Sequence, residues 1–212
     1  MAGLPKEEGQ AGGDPSPWTA LGVFLSIKAL LNGSVHGRTI AVQGVGAVGS
    51  HLCKMLADEG AKLVIADVSH NNLARMEPLG AEVAPVEQIH AVTADVFAPC
   101  ALGAGLNAKS IPELAAKIIC GAANNQLATE EDGARLVARG ITYAPDYVVN
   151  AGGIINVSAE YLGESVEAVE ARVRAVGSRT LQIVEQAKRD GVSPHVTADA
   201  IVRERLAAAK KS

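Results

Sequence analysis

The chain has 212 residues, 48% of them hydrophobic, and a net charge of −4 from 19 basic and 23 acidic side chains. That is enough apolar material for one large domain or one and a half ordinary ones, and the acidic balance, with no basic run beyond Lys210-Lys211, argues against nucleic acid or an anionic membrane surface as partner. Charge-free stretches such as 39–53 fall short of the roughly 20 residues that a bilayer crossing needs, and residues 1–10 carry Glu7 and Glu8 where a secretory leader would carry an apolar core.

Residues 1–16 are polar and rich in Gly and Pro, and they read as a linker or hinge ahead of a folded domain at 17–212. Ser16-Pro17 opens a helix over 18–31, and Asn32-Gly33 ends it. An apolar run at 39–42 reads as a buried strand. It is followed by Gly44-Val45-Gly46-Ala47-Val48-Gly49, a helical pattern over 48–59, and a second apolar run at 63–66 that ends at Asp67.

Each piece of this run has a physical task in holding a dinucleotide. Gly44 permits a tight turn out of the strand, Gly46 lets the backbone approach a pyrophosphate, and Gly49 lets the helix pack close. The free amides and dipole of the helix start favour the phosphate charge. Asp67 stands 23 residues after Gly44, near the roughly 20 expected for an acid that accepts hydrogen bonds from an adenosine ribose. An acid there repels a 2′-phosphate, so the pattern points to NAD rather than NADP. With glycine at 22 of 212 positions, the six residues alone would also fit a tight turn between packed elements. The flanking strands, helix and acid in register select the dinucleotide.

The alternation continues. Short strands are expected near 82–84, 95–98, 117–120 and 141–144, with a turn of helix at 86–92 and helices at 111–116 and 129–139. Thr129 caps the last of these, with Glu131 and Asp132 near its positive end. Such alternation predicts an α/β fold, a Rossmann-type doubly wound and mostly parallel sheet of about six strands. Ligands on such sheets bind at the carboxyl ends of the strands.

From Glu164 the pattern changes to long helix, about 164–209. Val166, Val169, Val173, Val176, Ile183 and Val184 recur at three- and four-residue steps and form one apolar stripe, and a second helix follows at 197–209. The stripe either packs on the domain's own sheet or covers something outside this chain. Cys53, Cys100 and Cys120 form an odd set without a CxxC, which suits reduced thiols and a cytoplasmic protein. Cys53 and Cys120 read as buried apolar fillers. His36, His51, His70, His90 and His195 lack metal-ligand spacing, so no metal is expected.

Four strings carry a more specific signal. They are Gly13-Asp14-Pro15-Ser16-Pro17-Trp18-Thr19-Ala20-Leu21-Gly22-Val23, then Ala98-Pro99-Cys100-Ala101-Leu102-Gly103, then Gly121-Ala122-Ala123-Asn124-Asn125-Gln126-Leu127, then Tyr143-Ala144-Pro145-Asp146-Tyr147-Val148-Val149-Asn150-Ala151-Gly152-Gly153. Together, in this order, they closely resemble the nucleotide-binding half of the amino-acid dehydrogenases for leucine, valine and phenylalanine, relatives of glutamate dehydrogenase. The resemblance covers nearly all of the chain.

The resemblance implies oxidative deamination of an L-amino acid to a 2-oxo acid and ammonia, with NAD taking the hydride from Cα. It implies that Gly44, Val45, Gly46, Ala47, Val48 and Gly49 surround the pyrophosphate and that Asp67 meets the adenosine ribose. Ala101 and Leu102 would lie against the cofactor through their backbone, and Thr19, Asn124 and Asn150 would hold its nicotinamide end. An amide side chain suits a carboxamide, since each offers both donor and acceptor. Without the resemblance, Asn124-Asn125 reads as a turn and Thr19 as an exposed helical residue. The resemblance further implies a substrate pocket formed by Asn124, Ile154 and Val157, the last two one helical turn apart. Their branched walls favour Leu, Val or Ile, and Asn156 between them looks more like the leucine enzymes. One methylene in an apolar pocket is worth only roughly 1–3 kcal/mol, so the preference would be broad. The plain alternative is that Ile154 and Val157 are core residues.

The family has an N-terminal domain that supplies two lysines and an aspartate for substrate binding and acid/base work. None of the nine lysines here follows three glycines, and no side chain in the chain stands out as an acid/base. The chain is therefore expected to bind NAD without catalytic residues of its own, with the missing domain as a partner in trans. An apolar patch near Thr19, Asn124 and Ile154 would invite self-association. The competing reading is a catalytically silent NAD-binding regulatory module.

Overall fold

The computed structural model describes residues 9–210; the first eight residues of the expected linker, and Lys211 of the terminal lysine pair, lie outside them. The apolar runs become six strands: β1 (Thr39–Gln43), β2 (Lys62–Ala66), β3 (Glu82–Val83), β4 (Val96–Pro99), β5 (Ile118–Ile119) and β6 (Thr142–Tyr143). Their order is β3-β2-β1-β4-β5-β6, and every neighbouring pair is parallel. β1 is the pivot: Val42 pairs with Ile65 on one side and with Ala98 on the other. The order reverses there, which opens a crevice at the carboxyl ends of β1 and β4.

Strand alternation sends Ile40 and Val42 to one face and Ala41 to the other. The first face is covered by α1 (Ser16–Leu30) and α2 (Ala47–Asp58), whose Val23, Ile27, Leu52 and Leu56 pack with Leu63, Ile65 and Val96. The second buries Val64, Phe97, Ile119 and Tyr143 beneath Leu136 of α4 (Glu130–Ala138) and beneath Ile89, Ile111 and Leu114. Here the turn of helix expected within 86–92 is a 3₁₀ turn, Ile89–Ala91, and the helix expected at 111–116 shrinks to another, Ile111–Glu113. Val92 and Leu114 leave helical space, with ψ of 134° and 123°. Leu114 thereby reaches the core as extended chain; burial outweighs a weak local helical preference.

Local capping chemistry sets the other boundaries. α1 starts earlier than expected: Ser16 is already helical, and its amide donates to Asp14 Oδ1 at 2.9 Å. α4 carries the expected cap, with Thr129 and Asp132 satisfying each other's backbone amides. Two short helices, α3 (His70–Ala74) and α5 (Asp146–Val149), had no periodic signal. Ser69 caps α3 by accepting the Asn72 amide.

Three helices complete the chain: α6 (Gly152–Leu162), α7 (Val166–Asp190) and α8 (Pro194–Ala209). The α7 stripe stays within the domain. Val169, Val173, Val176 and Ile183 are buried, and α7 packs chiefly on α1, with Ser26 and Thr180 hydrogen-bonded across the contact at 2.9 Å. The partner is thus a helix rather than the sheet. α8 begins three residues before the expected 197, because Ser193-Pro194 opens it as a helix start. Its Val202 and Leu206 are exposed.

The described part of the expected linker lies across the α6–α7 corner. The Ala11 amide donates to the Glu164 carbonyl and the Val166 amide to the Gly9 carbonyl. Asn156 grips the next residue with both ends of its amide: Gly12 N–H donates to its Oδ1 at 3.3 Å, and its Nδ2 donates to the Gly12 carbonyl at 3.4 Å. Asn156 is buried by this contact. It therefore serves the hinge segment.

Candidate functional site

The glycine-rich turn leaves β1 at the pivot of the sheet. Gly44 has φ +90°, and a side chain there would meet Ala101 at 2.8 Å. Its amide donates to the Ala66 carbonyl at 2.7 Å, which stitches the turn to the end of β2. A side chain at Gly49 would collide with the Gly44 carbonyl oxygen, so the first turn of α2 folds back tightly on the loop. Gly46 is different. Its φ is −69°, and a side chain there would meet nothing within 4 Å. Its lack of a side chain matches a space left for something else. Gly46 is also the N-cap of α2 and brings no side-chain oxygen to the first turn. No side chain therefore caps the first amides of α2, which lie at the positive end of the helix dipole. A helix start without a side-chain cap, beside a glycine whose missing side chain meets nothing, suits an anion. Val45 plays a different part: its side chain is fully buried and its amide is used by Asp67.

Asp67 follows β2 and faces the same turn. Its Oδ2 accepts the Val45 amide at 2.8 Å and Asn72 Nδ2 at 3.2 Å; its Oδ1 accepts the Ser69 amide at 2.8 Å. A carboxylate has roughly four lone-pair sites, so these three bonds leave room for a ligand hydroxyl. Burial pushes the Asp67 carboxyl up, but the hydrogen bonds from Ser69, Val45 and Asn72, and the nearby Arg75 charge, outweigh it and hold the group below its ordinary value of 3.8. Asp67 is therefore an anion held against the glycine-rich turn. Asn72, which bonds Asp67 directly, escaped the sequence reading because α3 was not recognised.

Across the pivot, the loops after β4, β5 and β6 meet. Ala101 and Leu102 are exposed, Leu102 at 82%. The Ala104 amide donates to the Asn125 carbonyl at 2.6 Å, and so joins the β4 loop to the β5 loop. Asn150, just past α5, donates its Nδ2 to the Ala122 carbonyl at 3.1 Å and to Asn124 Oδ1 at 2.6 Å. Both amide protons of Asn150 are therefore used, which leaves its Oδ1 as an acceptor and Asn124 Nδ2 as a donor. That pair matches the two ends of a carboxamide. Thr19 sits against the start of α6, where a side chain at Gly153 would meet its Oγ1 at 2.5 Å. Its hydroxyl donates to the Pro15 carbonyl at 3.1 Å. It is half-buried rather than the exposed helical residue that its position alone suggested.

Ile154 is 67% exposed, so it is not a core residue, and Val157 is half-buried on the same helix. Leu102 and Ile154 leave apolar surface open around the cleft, and Tyr161 is 90% exposed further along α6. Cys53 and Cys120 are buried as expected; burial raises both thiols, most strongly through desolvation. Cys100 is half-buried beside Gly49, and burial pushes it up to about 11.

Asp146 is a further residue of the site that the sequence reading did not single out. Asp146 is buried and accepts the Asn125 amide at 2.6 Å and the Tyr143 hydroxyl at 2.9 Å. The Pro145-Asp146 pair, a helix-start signature, was the signal available.

Comparison with known proteins shows the family of the chain. The Glutamate/Leucine/Phenylalanine/Valine dehydrogenase family model matches residues 65–212. A leucine dehydrogenase from Bacillus cereus is 44% identical over 206 residues, which cover 94% of this chain and 56% of that protein. A valine dehydrogenase from Streptomyces virginiae is 42% identical over 217 residues, covering 98% of this chain and 60% of the relative. The crystal structure of L-tryptophan dehydrogenase from Nostoc punctiforme has a TM-score of 0.90 at 41% identity, over 94% of this chain and 63% of that one. The chain thus spans little more than half the length of the curated relatives it matches.

Proposed function

Because this chain belongs to the glutamate/leucine/phenylalanine/valine dehydrogenase family, we propose that it is the NAD-binding half of an enzyme that oxidatively deaminates a branched-chain or other apolar L-amino acid. The observation that carries the reading is the pairing of the open cradle at Gly46 with the anionic Asp67 held against the same turn. NAD, when bound, supplies the nicotinamide ring that accepts hydride from the amino-acid Cα.

This chain's residues bind and orient. Gly46 and the first amides of α2 receive the pyrophosphate, and Asp67 offers its remaining lone pairs to the adenosine ribose while repelling a 2′-phosphate. Asn124 and Asn150 present one donor and one acceptor to the carboxamide, with Thr19 nearby at the start of α6. Ile154 and Val157 offer branched apolar surface to the substrate side chain, with Asn124 at the edge of that pocket. The acid/base groups come from the part of the relatives' length that this chain does not span. The exposed Leu102 and Ile154 surround the cleft such a domain would close, and they favour self-association in its absence. Three unpaired thiols fit a reducing, cytoplasmic setting.

The test is complementation. The purified chain is mixed with the N-terminal domain of a leucine dehydrogenase, and NADH formation from leucine and NAD is followed by absorbance. Turnover from the mixture but from neither part supports the reading. NADH binding without restored turnover favours a silent cofactor-binding module. Turnover by the chain alone contradicts the assignment of acid/base chemistry elsewhere.

A further inference from the structure

We propose that Asp146, anchored by Tyr143, is the positioning residue that sets the Asn124 amide for the carboxamide end of the cofactor. The proposal rests on the cofactor reading above.

Asn124 lies on an exposed turn, and the residue after it, Asn125, has φ +52°. Asparagine is one of the few non-glycine residues that visit this left-handed region readily, and Asp146 fixes it there. Its Oδ2 accepts the Asn125 amide at 2.6 Å, and its Oδ1 accepts the Tyr143 hydroxyl at 2.9 Å. Tyr143 in turn accepts the Asp146 amide at 3.3 Å, so the two residues lock each other at the end of β6. Tyr143 is 1% exposed and Asp146 8% exposed, so the charge is held away from water and its hydrogen bonds are strong.

The same helix applies a second grip. Asn150 lies one helical turn after Asp146, with its amide on the Asp146 carbonyl, and its side chain holds Asn124 Oδ1 at 2.6 Å. α5 and its C-terminal cap thus fix the Asn125 backbone with one side chain, Asp146, and the Asn124 amide with another, Asn150. The orientation of the free Asn124 Nδ2 follows from both. Asp146 touches neither the cradle at Gly46 nor Asp67, so its influence is confined to the nicotinamide end.

That confinement is what the experiment reads. NADH and ADP-ribose, which lacks the nicotinamide, are titrated against the unaltered chain, Asp146→Asn, Tyr143→Phe, Asn124→Ala and the Asp146→Asn/Asn124→Ala double variant. Asp146→Asn places an amide donor where two donors already point, and should weaken NADH about tenfold while ADP-ribose stays within about twofold. Tyr143→Phe, the milder change, should weaken NADH by about threefold. The double variant should lose no more than the larger single loss, since both changes remove the same contact. Equal loss of ADP-ribose in both Asp146→Asn and Tyr143→Phe would mark a purely structural role and overturn the proposal. So would unchanged NADH binding, or additive losses in the double variant. If the unaltered chain binds neither ligand, the cofactor reading itself falls, and the proposal with it.

Discussion

The Val45 amide donates to the Asp67 carboxylate across 2.8 Å, tying the glycine-rich turn after β1 to the end of β2. In the proposed function, one side chain therefore both shapes the phosphate cradle and meets the ribose. Asp67→Asn keeps the size but removes the charge and turns one acceptor into a donor. NADH affinity should fall about tenfold. NADPH affinity should fall less or rise, because the repulsion of the 2′-phosphate is gone. Calorimetric titration of both cofactors checks this.

Gly46 and Gly49 lie three residues apart and should respond oppositely. Gly49→Ala drives a methyl into the Gly44 carbonyl, which should cost about 1–3 kcal/mol of stability by urea unfolding. Gly46→Ala meets open space at an ordinary φ of −69°. It should unfold within about 0.5 kcal/mol of the unaltered chain yet weaken NADH by about tenfold or more, since the methyl occupies the approach to the pyrophosphate.

Asp67 also predicts a pH dependence. Its folded pKa is lowered, so the stability it contributes is present above its ordinary value of 3.8 and is lost as pH falls through the lowered folded value. The unfolding midpoints of the unaltered chain and Asp67→Asn should differ at neutral pH and converge only in acid below that point. A gap that closes on the alkaline side would contradict the sign.

Asn156→Ala should release the hinge segment. Two buried hydrogen bonds to Gly12 disappear, at a cost of about 1–3 kcal/mol. Hydrogen exchange at the Ala11 amide, which is bonded to the Glu164 carbonyl, should accelerate more than at the buried strand β1.

Ile154→Ala should leave stability within about 0.5 kcal/mol, because the side chain is 67% exposed. In the complemented enzyme it should lower kcat/KM for leucine by about tenfold relative to alanine.

The legible part of the fold was the part governed by periodicity. Thr39–Gln43, Lys62–Ala66 and the helix between them could be read directly, because buried parallel strands are continuous apolar runs and the glycines punctuate them. The covering of the second face was not legible. Ile89, Ile111 and Leu114 carry a helical spacing, but the space beneath them accepts only single turns. α8 starts ahead of the expected 197 because Ser193-Pro194, a cap followed by proline, opens it. At the site, the glycines and Asp67 announce themselves by spacing. Asp146 and Asn156 do not: each acts on a backbone amide distant in sequence, Asn125 and Gly12, and only the tertiary fold brings those pairs together.

The most direct test of the proposed function is an NADH titration of the folded, unaltered chain, followed by nicotinamide fluorescence, with NADPH as the comparison. Saturable binding of one NADH per chain, and weaker binding of NADPH, is the expected result. A chain with intact secondary structure that binds neither nucleotide, or that prefers NADPH, would contradict it.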